Sequence, residues 1–225
     1  MRREKTSVSQ EDYLKAIWEI VQEEQVLISA RLAEDLGVTP PAVTAALKRM
    51  TRSGYLRVRR GGRIELSSKG EEIAQHLVLR HRLAEKLLTE VIGVDWSRAH
   101  EEAERLEHGI SPEVEELLLQ RFGRDSRCPH GVPLFGGMSK LRRKHGAVRL
   151  SDADVARSYE VLRVYEKDPK FLDFLENFQL RPGARLRVHD REYDQTMEIS
   201  VAGRRRQKVY LGKPATERVW VRQIS

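Results

Sequence analysis

The chain has 225 residues, 40% of them hydrophobic and 33% charged, with a formal net charge of +7 and a single cysteine. This is a globular protein on the polar side, long enough for one large domain or two to three small ones. No apolar run approaches the roughly 20 residues of a membrane span, Met1-Arg-Arg-Glu-Lys lacks the pattern of a signal peptide, and Cys128 alone excludes an internal disulfide framework, so a cytoplasmic location is expected. The charge is uneven. Thr39 to Ile64 holds seven cations and no Asp or Glu, whereas Ala74 to Phe122 holds ten acidic residues against six Lys and Arg. The first block suits a polyanion and the second suits cations.

In chain order, Ser9 is the expected cap of a first helix carrying Tyr13, Leu14, Ile17, Trp18 and Val21 at helical spacing. Ile28 to Leu36 predicts a second, shorter helix, stopped by Gly37. Thr39 caps a third, with Pro40 and Pro41 in its first turn, where the missing N–H costs nothing. Tyr55 to Arg59 and Arg63 to Leu66 alternate as two strands, with Arg60-Gly61-Gly62 as the hairpin tip. Two helices, a Gly turn, a third helix and a basic hairpin make a winged helix-turn-helix. In that reading Pro41 opens the recognition helix. Thr39, Ala42, Thr44 and Ala45 face base edges, and Lys48, Arg49, Arg52 and the wing residues Arg59, Arg60 and Arg63 face phosphates.

A long helix follows from about Lys69 to Val91, with His81 and Glu85 four apart on one face. The next helix contains His100-Glu-Glu-Ala-Glu-Arg-Leu-Glu-His108. Its His100, Glu104, Glu107 and His108 share one ~100° stripe, while Ala99, Ala103, Leu106 and Ile110 share another that can enter a core. Nitrogen and oxygen donors at this spacing suit a divalent metal such as Mn, Fe, Co, Ni or Zn; on spacing alone a solvated acidic face is the commoner outcome, because Glu is frequent on helices. Ser111-Pro112 starts another helix to about Phe122. So small a helical segment has little core of its own, so a homodimer is expected through it. Cys128 and His130 add a thiol and an imidazole on a rigid loop, and Gly136 to Ala147 reads as a basic linker. From Val148 onward, short alternating strands punctuated by Gly183, Gly203 and Gly212, with one helix around Phe171 to Phe178, predict a small SH3-like β-barrel. The division is 1–73 for DNA binding, 74–147 for dimerisation and metal, and 148–225 for the β domain.

This order of parts resembles the diphtheria toxin repressor (DtxR/MntR) family of metal-dependent transcriptional repressors. The resemblance rests on Glu11 to Ile17, Lys69-Gly70, Arg80 to Leu88, Ile92-Gly93-Val94, His100 to His108, Cys128 to Gly131, and Leu180-Arg-Pro-Gly183, which looks like the start of a FeoA-type domain. It implies a mainly α protein with a C-terminal β domain. It implies one metal site from Asp12, Glu104, Glu107 and His108 with His81 contributing, and a second from Glu85, His100, Cys128 and His130 with Glu166. Iron-responsive members have Met and Cys where this chain has Asp12 and Glu104, so the resemblance points to Mn(II), with Fe(II) as the alternative and Zn(II), Co(II) or Ni(II) as substitutes. Lys15 stands where two-manganese members carry an acid, which argues against a closely spaced metal pair unless Lys15 swings out to solvent.

The expected function is a metal-activated repressor of metal-uptake genes that binds double-stranded operator DNA as a homodimer. Two other readings compete. A metal-independent winged-helix regulator would leave the ligand set vestigial or structural. A metallohydrolase would need an open coordination position and a general base, and no nucleophile motif or Gly-rich phosphate loop supports one. Ala42 and Ala45 make hydrogen-bonded base readout thin, so thymine methyls, DNA shape and phosphates carry recognition.

Overall fold

The computed structural model describes residues 8–23, 27–59, 63–203 and 208–224. It is mainly helical, with an antiparallel β domain at its C-terminal end. The first body is built from α1 (Val8–Gln22), α2 (Ser29–Asp35) and α3 (Pro40–Arg52), followed by β1 (Leu56–Val58) and β2 (Ile64–Leu66). Leu14, Ile17 and Trp18 of α1, Leu32 of α2, and Val43, Leu47 and Met50 of α3 share its core. Helix α1 already includes Val8, so Ser9 lies inside the helix and is not its cap. Thr39 holds the N-cap position of α3 with no side-chain cap bond, and Pro40 and Pro41 fill its first turn as expected. The two strands pair antiparallel, Val58 opposite Ile64 and Arg57 opposite Glu65. The expected hairpin tip at residues 60–62, Arg60 included, lies outside the described residues.

Helix α4 (Ser68–Leu87) belongs to two cores. Its N-terminal part, through Ala74 and Val78, packs into the first body. Leu79 and Leu83, one turn on, pack with Ala103, Ile110, Leu118 and Leu119. The Ser67 hydroxyl caps α4 by accepting from the Gly70 N–H at 3.1 Å and donates to the Gly54 carbonyl at 2.7 Å, which ties the hairpin to the helix start. Gly70 is required there, because a Cβ would lie 2.1 Å from the Tyr55 carbonyl oxygen. A wider, π-type turn over Leu88–Ile92 follows, and Gly93 ends it at φ +85°.

Asp95 caps α5 (Trp96–Leu106), its carboxylate accepting from the Ser97 N–H at 2.8 Å. The sequence predicts this helix as far as His108. The structure ends it at Leu106 and tightens the chain into a 3-10 turn over Glu107–Gly109 before Ser111 caps α6 (Pro112–Phe122). The stretch read as a basic linker contains α7 (Met138–His145). Met138 and Leu141 of α7 pack against Leu162 and Trp220, so its cationic residues are the outer face of a docked amphipathic helix.

The last body contains β3 (Val148–Arg149), β4 (Ser158–Val164), α8 (Pro169–Asn177), β5 (Arg185–Arg191), β6 (Met197–Val201), β7 (Lys208–Leu211), α9 (Lys213–Thr216) and β8 (Val219–Ile224). The strands form one six-stranded sheet in the order β3-β8-β4-β5-β6-β7, with antiparallel pairing throughout. Its core includes Val161, Leu172, Leu186, Ile199 and Val219, and also Trp96 from the start of α5. The loop at Cys128 to Gly131 is stitched to the same body, the Val164 N–H donating to the His130 carbonyl at 3.0 Å. Gly131, at φ +91°, allows this approach: a Cβ there would lie 2.0 Å from the Leu162 carbonyl oxygen. No described helix is long and apolar enough to cross a membrane.

Candidate functional site

Four of the seven histidines converge beside α4, as the sequence suggests. His81 sits at the centre, buried, and its two ring nitrogens face opposite ways. Nδ1 lies against the Glu107 carboxylate and 3.0 Å from the Lys15 Nζ. Nε2 lies 3.2 Å from Glu85 Oε1 and 2.9 Å from His100 Nδ1. The ring therefore joins two clusters of ligand-type side chains.

The first cluster is Asp12, Glu107 and His108, which each place a donor atom within 4.8 Å of the others. Asp12 Oδ1 is 2.9 Å from His108 Nε2. His108 Nδ1 is 2.9 Å from Glu11, a carboxylate that reading the sequence for the ligand stripe misses. The 3-10 turn makes this possible by turning Glu107 inward to full burial while His108 stays at the edge. Burial holds the Asp12 carboxyl above its ordinary range, against the opposing pull of His108. Burial acts the same way on Glu107, but hydrogen bonding from His81 and the charge of Lys15 win and hold it below the usual range.

Lys15 does not swing out to solvent. It is buried, and its Nζ donates to both Glu107 oxygens, at 3.0 and 2.7 Å, with Glu104 Oε1 at 3.8 Å. Glu104 departs from the expected arrangement. Its side chain is 55% exposed, pairs loosely with Lys15 and with His100 Nε2 at 3.6 Å, and is not among the grouped donors.

The second cluster combines His81, Glu85 and His100 with Glu85, Cys128 and His130, all buried. Glu85 Oε1 is its hub, 3.3 Å from His100 Nδ1 and 3.1 Å from His130 Nδ1. His130 is oriented from behind, its Nε2 bonded to the Trp96 carbonyl at 2.9 Å and its ring stacked on the Trp96 indole. Burial works against both charges of the Glu85–His130 pair, yet each partner stabilises the other: the carboxyl is held well below its usual range and the imidazole well above. Burial, reinforced by Glu85, pushes the Cys128 thiol up. Glu166, expected at this site, is instead held by Arg163 at 3.2 Å.

In the helix-turn-helix body, Thr39, Pro41, Ala42, Thr44, Ala45, Lys48, Arg49 and Arg52 are all exposed along one face of α3. The Thr44 hydroxyl donates back to the Pro40 carbonyl at 3.1 Å, which engages its proton within the helix. Arg59 and Arg63 are exposed on the hairpin but paired with Glu65, at 2.8 and 3.6 Å. Glu65 falls one residue beyond the acid-free run, so the sequence overstates the free charge of the wing. The Arg59 hydrogen bond holds its carboxyl below the ordinary range.

Residues 5–62 match the profile of the iron-dependent repressor N-terminal DNA-binding domain, 67–136 that of the iron-dependent repressor metal-binding and dimerisation domain, and 148–223 the FeoA domain. A winged helix-turn-helix joined to such a domain defines a metal-dependent transcriptional regulator. The diphtheria toxin repressor of Corynebacterium efficiens is 34% identical over 182 residues, 79% of either chain. The iron-dependent repressor IdeR of Mycobacterium tuberculosis is 39% identical over 126 residues, 56% of this chain and 55% of that one. Among solved structures, a manganese-dependent transcriptional repressor in complex with manganese superposes with a TM-score of 0.83 at 27% identity, covering 96% of this chain and 100% of that one. The apo form of the manganese-activated repressor ScaR gives 0.77 at 28% identity, covering 95% and 100%. The chain belongs to the DtxR family of iron- or manganese-dependent transcriptional repressors.

Proposed function

We propose that this chain is a homodimeric, Mn(II)-activated repressor that binds operator DNA, and that its metal links the DNA-reading body to the dimerisation body. One observation carries the reading. Asp12 of α1 and the Glu107–His108 pair after α5 come from different bodies, yet their donor atoms lie within 4.8 Å of one another. Two carboxylates and an imidazole fit a hard to borderline divalent ion. We assign Glu104, one turn before His108, as the further donor at this centre, with His81 behind it. Glu85, His100, Cys128 and His130 form the second centre, which Glu166 joins on leaving Arg163. The oxygen-rich first centre favours Mn(II). Fe(II) is the second reading, favoured by the iron-named relatives.

When bound, the ion supplies positive charge to Asp12, Glu104 and Glu107 beyond what the Lys15 ammonium and the imidazoles of His81, His100 and His108 offer. Asp12 then holds α1 against the end of α5, which narrows the orientations of the recognition helix α3 relative to its symmetry mate. Thr39, Pro41, Ala42, Thr44 and Ala45 are the base-facing set in this proposal. Lys48, Arg49, Arg52, Arg59, Arg60 and Arg63 are the phosphate-facing set.

The test is fluorescence anisotropy on a duplex selected from a random pool by the Mn(II)-loaded protein. Affinity is expected to rise about a hundredfold from EDTA to saturating Mn(II); equal binding in both sinks the proposal. Repeating it at buffered free Mn(II), Fe(II), Co(II), Ni(II) and Zn(II) ranks the metals.

The second centre carries a pH signature. Ligands bind metal only when deprotonated. His130 is held above the ordinary imidazole value and Cys128 above the ordinary thiol value, so near neutrality both protons must leave before metal enters. Affinity there should fall by roughly a hundredfold per pH unit as pH drops below both values, because two protons compete with each ion. Calorimetry in buffers of different ionisation heat should register about two protons released per ion; a pH-independent affinity would remove Cys128 and His130 from the ligand set.

A further inference from the structure

The side of α1 that carries Asp12 continues along the helix as Lys15, Glu19, Gln22 and Glu23. Spacings of three and four residues put these side chains on one stripe. That stripe meets two different bodies. At its N-terminal end Asp12 faces His108, and Lys15 faces Glu107. At its C-terminal end Glu19 accepts from Lys167 at 3.1 Å, and Glu23 accepts from Arg163 at 2.7 Å. Arg163 is on β4 and Lys167 follows that strand, so both cations belong to the FeoA body. Gln22 lies beside Gly137, the N-cap residue of α7, where an added Cβ would be 2.8 Å from the Gln22 Cβ, and α7 itself packs on Leu162 and Trp220 of that body.

These are not loose surface pairs. Arg163 is 4% exposed and its guanidinium stacks on Trp220, 4.7 Å from the ring. A cleft of about 60 Å³ lies along the seam, with Glu19, Glu23, Arg31, Arg163, Glu166 and Lys167 among its walls. The charge of Glu19 holds the Lys167 ammonium well above its usual range, and Lys167 holds the Glu19 carboxyl far below its own against the cost of burial. Partly buried carboxylates on a helix lose hydration, and a cation fixed beside them offsets that loss.

We propose that Lys167 and Arg163 are positioning residues that latch α1 to the FeoA body in the orientation where Asp12 faces His108. The first metal centre is thereby assembled before an ion arrives. This inference rests on the metal reading of that centre. The latch works through population. A site competent for only a fraction of the time binds its ligand more weakly by that fraction, and the latch keeps the fraction high. The ion and the two cations thus act on opposite ends of one stripe, and saturating metal can do by itself what the latch does at low metal.

The sign of the effect separates this latch from simple electrostatics. Removing a cation near a metal centre should tighten metal binding through the field alone, whereas breaking the latch weakens it. The experiment uses the full chain with Lys167→Glu, Lys167→Met and Lys167→Arg. Mn(II) binding is followed by calorimetry, and binding to the selected duplex by anisotropy across buffered Mn(II). Lys167→Glu and Lys167→Met should raise the Mn(II) concentration for half-maximal DNA binding by about tenfold and about fivefold. Lys167→Arg should stay within about threefold of wild type, and all three should reach the wild-type plateau at saturating Mn(II). Unchanged or tighter Mn(II) binding in Lys167→Glu and Lys167→Met overturns the latch, as does a lost plateau with an unmoved midpoint. Lys167→Met keeps the aliphatic stem and serves if Lys167→Glu fails to fold. The metal reading fails separately, through wild-type binding to the duplex that is equal in EDTA and Mn(II).

Discussion

Asp12→Asn protein is expected to bind Mn(II) at the first centre at least about a hundredfold more weakly than wild type, and to lose its metal response on DNA while remaining folded. Loss of a partner behind a ligand already costs roughly 10–100-fold in metal affinity, and loss of an anionic donor itself should exceed that. Asparagine keeps the shape and one oxygen, so the hydrogen bond that Asp12 makes to His108 Nε2 at 2.9 Å can persist. What disappears is the charge. Burial already pushes the Asp12 carboxyl toward its neutral form, and a bound cation reverses that push. The side chain is 39% exposed and outside the apolar cores, so the melting temperature of the metal-free protein should hardly move. Calorimetry and anisotropy read the loss directly. A wild-type Mn(II) midpoint in the variant would remove α1 from the metal centre and with it the proposed link between the bodies.

Lys15→Met is expected to act in the opposite direction on metal and in the destabilising direction on the metal-free fold. The Lys15 ammonium lies 2.7 Å from one Glu107 oxygen and 3.0 Å from the other, with both side chains buried. A cation held there repels a divalent ion beside it, and charges a few Å apart at an effective dielectric near 20 interact by roughly several kcal/mol. After relaxation, Lys15→Met should bind Mn(II) about ten- to a hundredfold more tightly at this centre. Without metal, Glu107 keeps only the imidazoles of His81 and, at 3.8 Å, His108 as partners for its buried charge, so stability should fall by about 2–4 kcal/mol and return when Mn(II) is added. Lys15→Glu extends the test: a further carboxylate among Glu104, Glu107 and His81 should raise the Mn(II) stoichiometry by one per protomer, measured on protein purified with Mn(II). An unchanged affinity in Lys15→Met would show that Lys15 leaves Glu107 freely and sets no threshold.

The sequence carried much of this plan because its signals were local. Thr39 with Pro40 and Pro41, the acid-free run after them, and His100, Glu104, Glu107 and His108 are each legible within a turn or two of chain. What stayed hidden depends on residues far apart. Lys15 stands out in the sequence only as a cation in place of an acid; its burial depends on Glu107, 92 positions away, which accepts from it. Strand β4 carries Arg163 inside the fold, where it is tolerated because Glu166, three residues on, and Glu23, 140 residues upstream, both pair with it. Residues 136–147 read as a linker from their cations, whereas Met138 and Leu141 find their partners at Leu162 and Trp220. Glu104 is the reverse case. The helical stripe aligns it with His100 and His108, but the chain tightens after Leu106 and leaves it at the rim.

Helix α4 has a consequence for how the molecule comes apart. Because Ala74 and Val78 complete one core and Leu79 and Leu83 open the next, melting either core strips an entire face from the same helix. The two bodies therefore share one cooperative unit, and the amides of α4 near Val78 and Leu79 should be among the last in the protomer to exchange with solvent. The Asp12 to Glu23 stripe of α1, in contrast, closes on the other bodies through charged side chains rather than a shared core. On the proposed function, loss of metal would loosen that seam and weaken the hold on DNA while the central beam stays intact.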